Sequence, residues 1–204
     1  MFIMLKRVLL FALSALFVCL CSCTGGKEVL DSAATAGELI EKATENLLWE
    51  NEVYDAASAP LDELYFNYYY GAADAAEFHA TVSDYGVAVQ TSNSADEIGV
   101  FKINTEFDEE AFRAESTLTG DALDRAVETE RASRIEANLL AAENYCKNRV
   151  SIFLNQTENY DATEYAKAQN ALIARHGYFV YYIISGDNAS IEKIITAQID
   201  AKAL

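Results

Sequence analysis

The sequence is poor in proline and histidine: it holds one proline and two histidines in 204 residues. Pro60 follows closely after Ser58, and this pair predicts that a helix begins near Leu61. The histidines, His79 and His176, belong to no His-Glu-x-x-His arrangement of the kind that binds zinc. Strand-entry and turn positions account for both, so we predict no metal site.

Positive charge is also scarce, since 15 lysines and arginines stand against 32 aspartates and glutamates, for a formal net charge of −17. Such a surface repels phosphate backbones and anionic lipid headgroups, which argues against nucleic acid binding. The simplest role of the acidity is to keep the protein solvated. An acidic surface would also attract cations or a basic partner.

Familiar catalytic motifs are missing from the sequence. It contains no Gly-x-Ser-x-Gly elbow and no phosphate-binding loop. An acidic cluster, formed by Glu106, Asp108, Glu109 and Glu110, lacks the spacing that wraps a calcium ion. We therefore predict no cofactor and no catalytic residue. An enzyme of unrecognised type is the alternative, and a cleft with several groups of shifted pKa would favour it.

The N-terminal segment has the layout of a signal peptide. Lys6 and Arg7 give it a positive start, and an uncharged apolar run from Val8 to Leu20 follows, which is short for a permanent membrane span. Small and polar residues come next. We predict a signal peptide over residues 1–22, with an uncleaved membrane anchor as the alternative.

Three of the four cysteines lie at the end of this segment. Cys23 follows the small residue Ser22 and has Leu20 three positions before it, so "LCSC" resembles the lipobox of bacterial lipoproteins. Cys19 and Cys21 follow bulky branched residues instead. The resemblance predicts lipidation of Cys23, and two acyl chains would hold the protein stably on the membrane. A metal site with Cys-x-Cys-x-Cys spacing is the alternative, but it would need all three thiolates inside the removed run.

The rest of the chain is expected to form a tether over residues 23–35 and a single domain over residues 36–204. After export and lipidation only Cys146 would keep a free thiol, so no intrachain disulfide is expected. Cys146 lies on the apolar stripe of a predicted helix, where a cysteine acts as a small buried hydrophobic residue. Packing must then hold the domain together.

Apolar periodicity predicts an α+β domain. The predicted order is α-α-β-β-α-β-β-α, with helices near Ala36, Leu61 and Asp121 and a last one at the C-terminus. The first hairpin has its strands in "YGVAVQ" and "EIGVFKIN", and the second turns at His176-Gly177. Two hairpins around a long helix predict one antiparallel sheet of about four strands, with the helices packed on one face.

The second predicted helix, "LDELYFNYYYG", is rich in tyrosine. Five of its residues share one face at helical spacing: Leu61, Leu64, Tyr65, Tyr68 and Tyr69. Such a stripe is typical of a helix that faces the core and leaves its hydroxyl groups in water. The alternative is a ligand surface that stacks against carbohydrate, made by Tyr65, Tyr68, Tyr69 and Tyr70. Exposed rings would favour this alternative, and buried rings would exclude it.

Several segments together resemble a known family. "SADEIGVFKIN" is similar to the signature strand of the domain of unknown function 4358 family, and "HGYFVYYIISGDN" is similar to its final hairpin. "LDELYFNYYYG" and the lipobox are consistent with the same family. The segment 107–134 is longer than the usual connection in that family, and its structure is not predicted. The resemblance implies a small exported lipoprotein of a Gram-positive bacterium, but no reaction, ligand or catalytic residue.

These features together predict a protein held by a lipid anchor on the cell membrane and facing outside the cytoplasm. Its expected activity is to bind an envelope protein or a ligand, without catalysis.

Overall fold

The structure, a computed structural model, describes residues 31–45, 47, 50–92 and 94–204. Within these residues the chain forms seven helices and one five-stranded sheet, which confirms the α+β class. The predicted signal peptide, the predicted lipidation site Cys23 and most of the predicted tether lie outside the described residues.

The helices in chain order are α1 (Ala36–Thr44), α2 (Glu63–Tyr68), α3 (Ala75–Thr81), α4 (Glu109–Glu115), α5 (Asp121–Thr157), α6 (Ala162–Gln169) and α7 (Asn188–Ala201). The strands are β1 (Asn51–Asp55), β2 (Val82–Gln90), β3 (Glu97–Ile103), β4 (Leu172–His176) and β5 (Phe179–Ile184). The strand order across the sheet is β1-β2-β3-β5-β4, and every neighbouring pair is antiparallel.

Strand β1 is the strand that the sequence did not predict, so the sheet has five strands and not four. It pairs with β2 from Asn51 opposite Gln90 to Asp55 opposite Gly86. Its sequence, "NEVYD", is short and polar, which is typical of an edge strand and gives little β-strand signal.

Helices pack on both faces of the sheet, so the prediction that they share one face was wrong. All six residues of β5 are buried, and alternate residues point to opposite faces. Val180, Tyr182 and Ile184 join one core, whereas the other three residues join a second core. A continuous apolar run such as "FVYYII" is typical of a strand that is covered on both faces.

The aliphatic layer is the core that α1 and α7 form on one face of the sheet. Its helical members are mostly leucine, isoleucine and alanine: Ala36, Leu39, Ile40, Ala43, Ile191, Ile195 and Ile199. The chain before α1 also packs here, because Ser32 is buried and its Oγ donates a hydrogen bond to the Ile199 carbonyl at 2.8 Å. Residues 31–35, which we expected in the tether, therefore belong to the folded domain.

The aromatic layer is the core that α2, α3 and α5 form on the opposite face. Its largest buried side chains are aromatic: Phe66, Tyr70, Phe78, Tyr85, Phe101, Tyr145, Phe153 and Tyr182. The Phe78 ring lies near their centre, with its centroid 4.4 Å from that of Phe66 and 5.4 Å from that of Tyr145. Cys146 is fully buried in this layer, which confirms its predicted role as a hydrophobic residue.

The segment 107–134 forms α4 and the first part of α5. The Glu109 carboxylate joins these two helices, because it accepts hydrogen bonds from Arg113 at 2.7 Å and from Arg131 at 2.6 Å. The Phe107 ring lies under the Arg134 guanidinium at 5.1 Å. The predicted acidic cluster thus takes part in helix packing through Glu109.

The β4–β5 turn lies one residue later than predicted. His176 is the last residue of β4 and pairs with Phe179, so Gly177 and Tyr178 form the turn. Gly177 has φ +59°, a conformation that glycine adopts freely, and this suits the first central position of a type II′ turn.

Candidate binding surface

The short helix α2 places its side chains at the β1 edge of the sheet. The Asp62 carboxylate caps the helix by accepting a hydrogen bond from the Leu64 amide at 2.9 Å. Phe66 and Tyr70, four residues apart, both point into the aromatic layer. The Asn148 side chain then ties the end of this turn to α5, since its amide donates to the Tyr70 carbonyl at 2.9 Å. With Phe66 and Tyr70 directed inward, the opposite side of α2 faces solvent.

Three tyrosines and a leucine lie on this solvent-facing side, and Tyr54 of β1 lies beside them, with its ring centroid 6.4 Å from that of Tyr65. We call them the tyrosine patch: Tyr54, Leu64, Tyr65, Tyr68 and Tyr69. Leu64 is 74% exposed and Tyr68 is 66% exposed, whereas the other three are partly buried. The ring centroids of Tyr65 and Tyr69 are 4.6 Å apart, and those of Tyr68 and Tyr69 are 4.9 Å apart at right angles. The surface is therefore an angled cluster of rings.

The tyrosine patch differs from both predictions for this helix. The predicted core-facing stripe is wrong for Leu64 and Tyr68, because the helix begins after Asp62 and buries Phe66 in their place. Of the four tyrosines predicted as a ligand surface, Tyr65, Tyr68 and Tyr69 lie at the surface. Tyr70 is buried, with 1% of its surface exposed, and cannot contact a ligand there.

A buried ion pair lies directly beneath the patch. Arg149 of α5 donates two hydrogen bonds to the Glu97 carboxylate of β3, from Nε at 2.7 Å and from Nη2 at 2.5 Å. Both residues are almost fully buried. A paired guanidinium and carboxylate stabilise each other in this medium, whereas either one alone would be strongly unfavourable.

Two tyrosine hydroxyl groups extend this ion pair into the core. The Tyr182 hydroxyl donates to Oε1 of Glu97, and the Tyr70 hydroxyl lies 3.2 Å from that of Tyr182. The Tyr182 ring crosses Gly99 of the neighbouring strand, where any Cβ would collide with it. We call these five residues the buried network: Tyr70, Glu97, Gly99, Arg149 and Tyr182.

Burial and charge shift the titration of this network. Burial raises the pKa of Tyr182, and the nearby Glu97 charge raises it further. Burial would lower the pKa of Arg149, but its hydrogen bonds to Glu97 outweigh burial and raise it. Arg149 therefore keeps its charge beside the Glu97 carboxylate, and the hydroxyl groups of Tyr70 and Tyr182 stay neutral.

Arg149 also connects the network to the patch. Its guanidinium carbon lies 4.3 Å from the centroid of the Tyr69 ring and 4.1 Å from that of Phe153. The cation is thus held between two aromatic rings, one of which belongs to the surface. Burial raises the pKa of Tyr65, and the positive charge of Arg149 partly opposes that shift. The Arg149 charge therefore acts on Tyr65 as well as on Tyr69.

Sequence reasoning missed Arg149 and Glu97, although a signal was present. Arg149 lies three residues after Cys146 and four before Phe153, which places it on the apolar stripe of α5. A charged residue on such a stripe needs an opposite charge from another element. Glu97, at the start of the apolar strand "EIGVFKI", is the acidic residue that supplies it.

A second polar cluster joins α6 to the loop before β3. The Lys167 ammonium lies 3.0 Å from Ser94 Oγ and 2.6 Å from the Asp96 carboxylate. Glu164 also contacts Lys167, at 3.0 Å, and accepts a hydrogen bond from the Ala95 amide at 2.6 Å. A shallow pocket of about 300 Å³ lies beside the cluster.

The chemistry of this cluster is that of a structural clamp. A serine–lysine pair catalyses hydrolysis only when the lysine loses its proton and acts as a base. Burial here would lower the pKa of Lys167, but the two carboxylates outweigh burial and raise it. Lys167 therefore stays charged and holds α6 against the loop, and it does not activate Ser94.

The two histidines and the Cys146 thiol are engaged in packing and hydrogen bonding within the fold. His79 lies near the end of α3, with its ring centroid 5.2 Å from that of Phe66, and His176 Nε2 lies 2.6 Å from the Asp200 carboxylate of α7. Burial raises the pKa of the Cys146 thiol, which makes it a poor nucleophile. Within the described part of the chain, no group of three or more histidine, cysteine, aspartate or glutamate side chains is placed to hold a metal ion.

Comparisons with known proteins leave the family open. Neither protein-family models, nor curated proteins, nor solved structures give a match to this chain. The resemblance to the domain of unknown function 4358 family therefore stays a prediction. Among the helices of the described residues, none is long and apolar enough to cross a membrane.

Proposed function

We propose that this protein is a lipid-anchored binding protein of the extracytoplasmic surface, and that the tyrosine patch is its binding site. The observation that carries the proposal is the exposure of Leu64 and Tyr68 beside three partly buried tyrosines. Aromatic side chains expose large rigid surfaces at low entropic cost, which is why they dominate binding sites. The buried network beneath the patch supports the proposal, because it holds one of these rings in place.

The position of the chain entry supports the anchoring part of the proposal. Ser32 pairs with Ala203, and the Lys102 ammonium donates to the Ser32 carbonyl at 2.7 Å. Cys23 lies eight positions before Asp31, so an extended connection reaches at most about 30 Å. A lipid on Cys23 would thus keep the aliphatic layer near the membrane, with the patch on the other face of the sheet.

The binding site is tested by photo-crosslinking in the cells that make the protein. A photoreactive phenylalanine analogue replaces Tyr68 in one strain and Tyr160 in another, because Tyr160 is also an exposed tyrosine, at 89%, but lies outside the patch. The proposal predicts a discrete crosslinked product, whether protein or glycan, from position 68 and none from position 160. Equal products from both positions, or no product from either, would contradict it.

A second substitution shows whether this product depends on the patch. Leu64→Ser should abolish the product from position 68. Leu118→Ser is the matched control, since Leu118 is an exposed leucine, at 45%, beyond the end of α4. It should leave the product unchanged. A product that survives Leu64→Ser would come from random collisions.

The anchor is tested separately by Cys23→Ala. The variant should appear in the soluble fraction or accumulate as uncleaved precursor, and it should lose incorporation of labelled fatty acid. Unchanged acyl labelling would overturn the anchoring proposal without affecting the crosslinking result.

A further inference from the structure

One buried hydrogen-bond donor beneath the tyrosine patch has no partner among the described residues. The Arg149 residue is only 7% exposed, and its Nε and Nη2 both donate hydrogen bonds to Glu97. The third nitrogen, Nη1, is fully buried, and no acceptor among the described residues lies within hydrogen-bond distance. A buried donor without an acceptor costs about 1–3 kcal/mol, so an acceptor that reaches Nη1 would be bound favourably.

Tyr69 is the residue of the tyrosine patch that lies against this guanidinium. Because Glu97 occupies the edge of the guanidinium that carries Nε and Nη2, Nη1 lies on the far side of the group. The Tyr69 ring covers the guanidinium at 4.3 Å and is itself partly exposed. A ligand oxygen would therefore meet Nη1 only if binding moves the Tyr69 ring, which Arg149 holds in place in the unbound protein.

Charge decides which acceptors fit. The Arg149 charge is already balanced by Glu97, so an anion here would add a second buried negative charge in a protein of net charge −17. A cation would be repelled by the guanidinium. A neutral hydroxyl or carbonyl oxygen satisfies the donor without either penalty.

The rings add a second requirement for the ligand. Tyr65, Tyr68 and Tyr69 lie at angles to one another, so a ligand that contacts all three rings must bend around them and offer them apolar C–H groups. A molecule that combines apolar C–H faces with many neutral hydroxyl groups is a carbohydrate. We propose that the tyrosine patch binds an uncharged oligosaccharide, and that Nη1 of Arg149 donates a hydrogen bond to one of its oxygens. The proposal rests on the tyrosine patch being the binding site.

The inference is tested by titrating the full-length protein, in nanodiscs, with neutral hexasaccharides of glucose, mannose, galactose and N-acetylglucosamine. Binding of at least one is expected, with a loss of about tenfold or more in Tyr69→Ala and Tyr68→Ala and no change in Tyr160→Ala. A sulfated hexasaccharide of the same sugar should bind at least about tenfold more weakly. Failure of all neutral sugars would overturn the ligand class, and equal binding of the sulfated sugar would overturn the charge argument.

The role of Arg149 is read from the unaltered protein, because its substitution would also disturb the core. Nitrogen NMR signals of the Arg149 guanidinium should shift on addition of the bound sugar, and exchange of its protons with water should slow. An unmoved guanidinium signal on sugar binding would show that Nη1 does not contact the ligand. A crosslink at position 68 without binding of any sugar would overturn this inference and leave the proposed binding site standing.

Discussion

The two layers that cover the sheet are built from different kinds of residue. In the aliphatic layer, α1 and α7 pack against the sheet through leucine, isoleucine and alanine. The segment before α1 lies beside this layer, where Ser32 pairs with Ala203. The aromatic layer packs phenylalanine and tyrosine around the Arg149–Glu97 pair and opens onto the tyrosine patch. The core of the first layer is mostly aliphatic, whereas the second layer combines aromatic burial with a charged pair and its hydrogen bonds.

This difference bears on the proposed binding site. Aliphatic side chains offer no hydrogen-bond donor to a ligand, so a surface above them would be nonspecific. The aromatic layer holds a charged group against the rings of Tyr69 and Phe153, and Tyr69 is partly exposed. A buried ion pair adds little net stability but fixes one arrangement of the groups around it. We expect substitutions in the two layers to separate these roles.

The largest expected effect is that of Arg149→Met. It leaves the Glu97 carboxylate buried without a counter-charge, and loss of one partner of such a pair costs about 3–5 kcal/mol. Urea denaturation should show this decrease in the free energy of unfolding.

The double variant Glu97→Gln/Arg149→Met is the control for this prediction. It removes both charges, so the free energy of unfolding should recover by at least about 1 kcal/mol relative to Arg149→Met. A double variant that is less stable than Arg149→Met would mean that shape, and not charge, explains the loss.

A glycine in each layer allows a matched comparison. A Cβ on Gly86 would lie 2.7 Å from the Ala36 carbonyl oxygen of α1, and a Cβ on Gly99 would collide with the Tyr182 ring. Overpacking of this kind typically costs about 1–3 kcal/mol, so both alanine variants should unfold at lower urea concentration. Only Gly99→Ala should also change the near-ultraviolet circular dichroism of the tyrosines. Similar spectra for the two variants would contradict the separation of the layers.

Alkaline pH should act on the aromatic layer in part through Tyr70 and Tyr182. Burial raises the pKa of Tyr70 and Tyr182 above the ordinary value, so the fold keeps both neutral. Their contribution to stability is therefore present below about pH 10 and is lost as the pH rises toward their folded pKa. Each should reduce the free energy of unfolding by about 1.4 kcal/mol per pH unit above that point.

Tyr70→Phe tests this pH dependence. The free energy of unfolding of this variant, measured at several alkaline pH values, should fall less steeply with pH than that of the unaltered protein. The reason is that one of the two tyrosines no longer contributes. An unchanged slope would contradict the prediction.

The smallest expected effect on stability is at the patch itself. Leu64→Ser removes an exposed side chain, so the free energy of unfolding should change by less than about 0.5 kcal/mol in thermal or urea unfolding. The same variant should abolish the crosslink from position 68. A large loss of stability would instead assign Leu64 a structural role.

Much of the fold could be predicted from periodicity, and the failures have physical reasons. The apolar stripe of α5, the β2–β3 hairpin and the final helix carry strong local patterns, and all are present. Strand β1 has no such pattern, because an edge strand needs only one neighbour and tolerates polar residues. Short helices such as α3 and α6 depend on caps, from Asp74 and Asp161 respectively, which a search for apolar stripes does not detect.

The site could be predicted only in part for a different reason. The tyrosine-rich sequence pointed to Tyr65, Tyr68, Tyr69 and Tyr70, but Tyr70 lies beyond the end of α2 and packs into the aromatic layer. The Arg149–Glu97 pair joins residues 52 positions apart. No local pattern specifies such a pairing, because it depends on how α5 crosses the sheet.

The most direct test of the central claim is hydroxyl-radical footprinting of the protein in its own membranes and after purification. Radical attack oxidises exposed tyrosine and leucine side chains, so each site reports its own accessibility. The account predicts that oxidation of Tyr68 and Leu64 is slower in the membranes than in the purified protein, while Tyr160 and Leu118 react equally in both. Equal oxidation of Tyr68 and Leu64 in the two preparations would contradict the claim that the tyrosine patch is an occupied binding surface.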